Sequence, residues 1–165
     1  MPADVPQALD AAVTCHVSTF ADLDAVTLYR LLRLRVDVFV VEQQCPYPEL
    51  DGRDTEASTR HVWLSRDDAV VAYLRVLDES TAVRIGRVVV AAAERGRGHA
   101  GRLMAAALRL AGARTCVLEA QAHLAGFYRR FGFTVTGARY VEDGIAHVPM
   151  RRTIRSDGEH RRRDR

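Results

Sequence analysis

The stretch Arg95-Gly96-Arg97-Gly98-His99-Ala100-Gly101 lies between a β-branched run, Val88-Val89-Val90, and an apolar helical stretch that starts at Arg102. A strand, a glycine-rich turn and a helix start together make a cradle for an anion. Glycines let the backbone turn tightly and come close to a ligand. The N–H groups of a helix's first turn lack intrahelical partners and sit at the positive end of the helix dipole, where a phosphate or diphosphate fits. Outside the cradle stand groups that move protons: Glu42, His61, Glu119, Tyr128 and His147. Carboxylate, imidazole and hydroxyl side chains do that work in transfer reactions.

Two readings of the cradle compete. Gly96 to Gly101 matches Gly-x-Gly-x-x-Gly, and Glu119, 18 residues beyond Gly101, stands near the place of a ribose-binding acid. In a dinucleotide fold, however, the strand feeds the first glycine almost directly, whereas here Ala91-Ala92-Ala93-Glu94-Arg95 intervenes. The motif also lies past mid-chain, and the segments before it read as an antiparallel hairpin, not as crossover units. A nucleotide P-loop is excluded, because no Gly-Lys-Ser/Thr follows. The chain has no lysine: all 24 basic residues are arginine, so no side chain can form a Schiff base.

The elements that must position these groups follow from periodicity and turn residues. Val13 to Phe20 reads as a strand. Asp22 or Asp24 offers an N-cap for a helix to about Val40, with Leu28, Leu31, Leu32, Arg35, Val38 and Phe39 at helical spacing. Gln43 to Ala57, with Pro46, Pro48, Gly52 and four acids, reads as a long loop. Two strands flank Asp67-Asp68, and a third runs from Val83 to Val90. After the cradle come a helix to about Leu110, a strand from Thr115 to Gln121, and a helix from His123 to Phe131 closed by Gly132. Val135 to Met150 reads as two strands around Asp143-Gly144. No repeat and no second core are visible.

Composition bounds the rest. The chain has 165 residues, 48% of them hydrophobic, enough for one α+β domain with a sizeable core. The final fifteen residues carry seven arginines and three acids, leaving 17 basic against 18 acidic residues elsewhere. The basic balance therefore belongs to the tail, and no nucleic-acid partner is expected. No apolar run approaches membrane-spanning length. Met1-Pro2-Ala3-Asp4 lacks the basic start of a secretory signal, and Cys15, Cys45 and Cys116 are odd in number and far apart. A cytoplasmic protein with reduced thiols and no metal is expected.

The cradle also fits Arg/Gln-x-x-Gly-x-Gly/Ala, read as Arg95-Gly96-Arg97-Gly98-His99-Ala100. Tyr128, 28 residues beyond Ala100, falls in Phe127-Tyr128-Arg129-Arg130-Phe131-Gly132-Phe133. That pairing resembles the acetyl-CoA signature of the GNAT superfamily of N-acetyltransferases. Leu31 to Gln43 with Cys45-Pro46-Tyr47, and Glu142-Asp143-Gly144-Ile145-Ala146-His147, are similar to the ElaA-like branch. The resemblance covers roughly residues 23 to 151.

The resemblance implies a three-layer α/β arrangement in the α+β class. Its mixed, mainly antiparallel sheet has six to seven strands, is flanked by about four helices, and is splayed between the fourth and fifth strands. The domain would span 13–152, between a flexible terminus (1–12) and a disordered basic tail (153–165). The diphosphate of CoA would rest on Gly96, Arg97, Gly98, His99, Ala100 and Gly101, with Arg95 and Arg97 adding charge. Backbone of Val88, Val89 and Val90 would bond the pantetheine arm like an added strand, and a β-bulge is implied there. Tyr128 would be the general acid near the sulfur, although helical spacing with Leu124, Phe127 and Phe131 also fits a core tyrosine. Gln121 stands where the family often has asparagine.

The implied reaction moves acetyl from acetyl-CoA to a primary amine of a small molecule or peptide, by direct attack on the thioester. A CoA-binding module without transfer is the alternative. The base is not singled out: Glu42 ranks first, before Glu119, His61 and His147, and Glu142 and Asp143 also read as turn residues. Asp51 and Asp54, with Glu49 and Glu56, would form an acidic rim for a cationic amine, with His147 also on the acceptor side; a solvated loop explains the same charges. No membrane partner is expected, and the oligomeric state stays open, with a homodimer among the options.

Overall fold

Tight turns between successive strands organise the first half of the sheet. The computed structural model describes residues 12–154. The terminus and tail expected at 1–12 and 153–165 therefore lie outside the described residues, apart from Ala12, Thr153 and Ile154. Strands β1 (Val13–Ser18), β2 (Arg60–Arg66), β3 (Ala69–Asp78) and β4 (Val83–Val90) form an antiparallel meander. Asp67, at φ +52, turns β2 into β3. Strand β3 is buried on both faces: Ala72, Leu74 and Val76 pack on one side and Tyr73 on the other. Residues of opposite parity along a strand project to opposite faces, so each face must be covered by helix.

Helix α1 (Ala25–Val36) covers one face through Leu31 and Leu34 against Tyr73 and Val89. Asp24, not Asp22, is its N-cap, and its carboxylate accepts from the Thr27 N–H at 2.8 Å. The helix expected to reach Val40 widens instead into a π-helical turn, Asp37–Glu42, with Gln43 N–H bonding back to Val38 O. Helix α2 (His99–Ala111) covers the other face with the fully buried Leu103 and Met104. Burying such a side chain is worth about 1.5–3 kcal/mol.

Strand β5 (Cys116–Gln121) is parallel to β4, but only Val83 and Arg84 pair with it, opposite Cys116 and Val117. Beyond those residues the strands part, which is the splay expected between the fourth and fifth strands. Helix α3 (Ala125–Arg129) follows β5 after a 3-10 turn, and Gly132 at φ +87 ends that segment. The chain then adds β6 (Thr134–Val135), β7 (Tyr140–Glu142) and β8 (Ile145–Arg152). Asp143 and Gly144, both at positive φ, turn β7 into β8, which pairs antiparallel with β5. The sheet has eight strands, ordered β1-β2-β3-β4-β5-β8-β6 with β7 also on β8. Two short pieces on β8, β6 and β7, raise the count above six to seven. The segments 37–42, 53–55, 92–94 and 122–124 are π or 3-10 turns, so among the described residues three α-helices flank the sheet, where about four were expected.

Candidate active site

Strand β4 carries an irregularity where the sheet opens. Tyr73 of β3 faces Val89 and Arg75 faces Gly86, so β4 holds one extra residue between them. Arg87, at φ +54, takes up that residue: this is the implied β-bulge. The backbone of β4 from Ile85 onward has no partner in β5, so its groups on that edge stay open to an extended ligand.

Two adjoining clefts occupy the opening. The larger, about 680 Å³, runs from Val88, Val89 and Val90 over the glycine turn to α3. The smaller, about 390 Å³, lies between the bulge of β4, the side of β5 and the β7–β8 hairpin. Phe39, Gln43, Val88, Gln121, Leu124 and Tyr128 line both. Both volumes are in the range of small-molecule sites.

The glycine turn has the shape an anion needs. Gly96 and Gly98 stand at φ +77 and +79, where a side chain would be strained, and the space beside each is open. Gly98 caps α2, and Arg102 N–H makes the first helical bond, to Gly98 O at 3.2 Å. The N–H groups of the first turn thus face outward at the dipole's positive end, which favours an anion by roughly 0.3–1 kcal/mol even when exposed. Arg95, Gly96, Gly98, His99, Ala100 and Gly101 all line the larger cleft. The His99 ring does not reach out from it. It is 5% exposed and turns inward, with Nε2 3.0 Å from Glu94, so only its backbone is placed for an anion. Arg97 lies 3.8 Å from the same glutamate.

Tyr128 sits where the two clefts meet. Its ring packs edge-on against Phe127 and Phe133, so the core reading and the catalytic reading describe one residue. Burial pushes its pKa up to about 12, and no hydrogen bond engages its hydroxyl among the described residues. Such a group stays protonated and has a hydrogen to donate. Gln121, across the same opening, donates through Nε2 to the side-chain Oε1 of Gln43 at 3.3 Å.

Three sequence expectations change. Glu42 does not stand as a free base: both its oxygens bind Arg95, at 2.6 and 2.8 Å, and that bond holds its carboxyl below the usual range. It positions the cradle's arginine instead. The acidic loop is no rim. Arg35, fully buried, binds Glu49 at 2.7 Å and Asp54 at 2.6 Å, and Arg75 binds Asp51 at 2.7 Å and Asp54 at 3.1 Å. Arg87 at the bulge also binds Glu49, at 3.0 Å, and Tyr47 donates to the same carboxylate. Asp51 and Asp54 therefore spend their charge on arginines, and neither lines a cleft. The loop's acids fold inward because three buried or half-buried guanidinium groups must be neutralised. His61 is structural: Nδ1 meets the Tyr73 hydroxyl at 2.7 Å and Nε2 the Asp54 carbonyl at 3.0 Å.

Sequence reasoning gave no site role to three residues that line the smaller cleft: Phe39, Tyr47 and Cys45, whose thiol donates to the Asp143 carbonyl at 3.4 Å. One signal was present. Arg35 stands on the apolar stripe of α1, and a buried cation demands carboxylates from elsewhere. Among the described residues no helix is long and apolar enough to cross a membrane, and no three His, Cys, Asp or Glu are grouped to hold a metal.

The acetyltransferase (GNAT) domain matches residues 32–154. The chain belongs to the GNAT acetyltransferases. Within them it falls in the ElaA branch: Escherichia coli ElaA is 42% identical over 146 residues, covering 81% of this chain and 92% of ElaA. Mycobacterium tuberculosis UPF0039 protein Rv2851c is 51% identical over 136 residues, covering 79% of this chain and 87% of the relative. The crystal structure of an acyl-CoA N-acyltransferase from Pseudomonas aeruginosa superposes with TM-score 0.81 at 44% identity, over 86% of this chain and 100% of that one. ElaA's own crystal structure gives TM-score 0.81 at 38% identity, over 86% and 99%. Splay, bulge and glycine turn are thus parts of a GNAT fold, and the chain is an acyltransferase.

Proposed function

We propose that this GNAT chain transfers an acetyl group from acetyl-CoA to a primary amine of a small molecule or peptide. When bound, acetyl-CoA supplies an acetyl group activated by a thiolate leaving group. The residues fit such a donor. Backbone N–H groups from Gly96 to Gly101 would hold the diphosphate, with Arg95 beside it. Open backbone at Val88 to Val90 would bond the pantetheine amides as an added strand would. Tyr128 would donate its proton to the departing sulfur, and Gln121 would meet the arm near that point. The amine would enter from the smaller cleft. A chain with three free cysteines suits a reducing cytoplasm.

The observation that carries this reading is Tyr128: a buried side chain whose hydroxyl has no hydrogen-bond partner among the described residues, at the junction of the glycine-turn cleft and the smaller cleft. The test is thiol release. The protein should liberate CoA from acetyl-CoA only when an amine from a panel of primary amines is present. Thermal stabilisation by acetyl-CoA without amine-dependent release would identify a binder instead.

A further inference from the structure

With Glu42 bound to Arg95, the acceptor amine lacks the base first expected for it. The smaller cleft offers one. His147 of β8 is the register partner of Tyr140 on β7 and of Gln121 on β5. Directly opposed residues of antiparallel strands share a face, so Tyr140, His147 and Gln121 form a row across three strands. The His147 ring stacks on Tyr140, with centroids 5.7 Å apart and planes 20° apart. Its Nδ1 lies 2.8 Å from the Ile145 carbonyl oxygen. A carbonyl only accepts, so Nδ1 carries the hydrogen and, in the neutral ring, Nε2 keeps its lone pair. No hydrogen bond engages Nε2 among the described residues, and the residue lines the cleft that Tyr128 closes.

The surroundings suit an amine that arrives as an ammonium ion. Glu119 of β5 and Glu142 and Asp143 of the hairpin line this cleft. Arg87 of β4 lines it too, but its charge is met by Glu49 and Asp51. Of the titratable groups there, Tyr128 has its pKa raised by burial, Tyr47 is bonded to Glu49, and burial likewise raises the Cys45 thiol. Glu119 is occupied, accepting from the Tyr140 hydroxyl at 2.8 Å with Arg84 3.6 Å away. A cationic acceptor must lose a proton before its nitrogen can attack; the hairpin carboxylates of Glu142 and Asp143 would draw the cation in, and His147 presents an unengaged ring nitrogen to take the proton.

We propose that His147 is the general base, its tautomer fixed by the Ile145 carbonyl and its ring by Tyr140. This rests on the transfer reading above. Nε2 of His147 accepts the amine proton and passes it to solvent. As the amine's lone pair forms the C–N bond to the acetyl carbon, the nitrogen gives up its second proton to solvent, and the C–S bond breaks with its electron pair going to sulfur. Tyr128 protonates that sulfur and regains its proton from solvent.

The test uses His147→Asn, whose amide can keep the bond to Ile145 but has no basic atom at the Nε2 position, and His147→Gln as a second variant. Acetyl-CoA affinity is read by calorimetry, and thiol release is followed against pH with spermidine, tyramine and a lysyl peptide as acceptors. Both variants should bind acetyl-CoA as the wild type does and lose about 100-fold in kcat/KM, the usual worth of general-base catalysis. The variants' rates should keep rising with pH, as the amine deprotonates unaided, beyond the point where the wild-type rate levels off. Folded variants that keep kcat/KM within threefold and the wild-type pH profile overturn the assignment. A wild-type protein that binds acetyl-CoA yet releases no thiol with any of these amines overturns the transfer reading itself, and the base with it.

Discussion

At the scale of single residues, the account turns on what each polar group is free to do. Tyr128 is free to donate and is held protonated by burial. Replacing it with phenylalanine keeps the packing against Phe127 and Phe133, so acetyl-CoA affinity should stay within about twofold. The kcat should fall tenfold or more, within the usual 10²–10⁴ worth of acid catalysis. Stopped assays of thiol release at saturating acetyl-CoA check this, and an unchanged kcat removes Tyr128 from the chemistry. The tyrosine was legible in the sequence because it stands inside a local motif. Glu42 was not, because its partner Arg95 lies 53 positions away. A carboxylate's availability is set by what it meets in space, and spacing along the chain says nothing of that.

At the scale of elements, loop 43–57 is part of the sheet's support. Its acids neutralise Arg35 of α1, Arg75 of β3 and Arg87 of β4, pinning the loop and the bulge to the face that α1 covers. Removing one partner of a buried pair leaves an uncompensated charge, at a cost of about 3–5 kcal/mol. Asp54→Asn should therefore lower stability by roughly 3 kcal/mol. Denaturant titration at neutral pH checks this, and a loss below 1 kcal/mol would show the pair to be dispensable. The loop's length was readable from Pro46, Pro48 and Gly52. Its inward fold was not, since an acid-rich loop also reads as a solvated one. The π-helical turn at 37–42 was invisible too: Val38 and Phe39 keep helical spacing whether the turn closes with 3.6 residues or more.

At the scale of the whole molecule, the architecture was the most legible part. Hairpin turns at Asp67 and Asp143-Gly144, the glycine cradle and the β-branched run of β4 each act locally, and together they leave few topologies. The count of strands beyond Gly132 was not readable, because β6 has two residues and β7 three, too short for a periodic signal. Global stability carries one further consequence. Arg75 holds Asp51 well below the usual carboxylate range, and for Asp54 burial is outweighed by its bonds to Arg35 and Arg75. Both groups have lower pKa values folded than unfolded. Their contribution is thus complete above the unfolded value of about 3.9 and is lost as pH falls through the folded values. The melting temperature should drop steeply below pH 4, and the acid slope should be shallower in Asp54→Asn; parallel slopes in the two proteins would contradict this.

The central claim is that the turn from Gly96 to Gly101 grips a diphosphate at the mouth of the splayed sheet. A crystal structure of the protein with acetyl-CoA measures this directly. Diphosphate oxygens should lie 2.7–3.2 Å from backbone nitrogens of that turn, with the pantetheine arm running along Val88 to Val90 and the thioester next to Tyr128. A complex whose diphosphate sits elsewhere, leaving those nitrogens to water, would contradict the account.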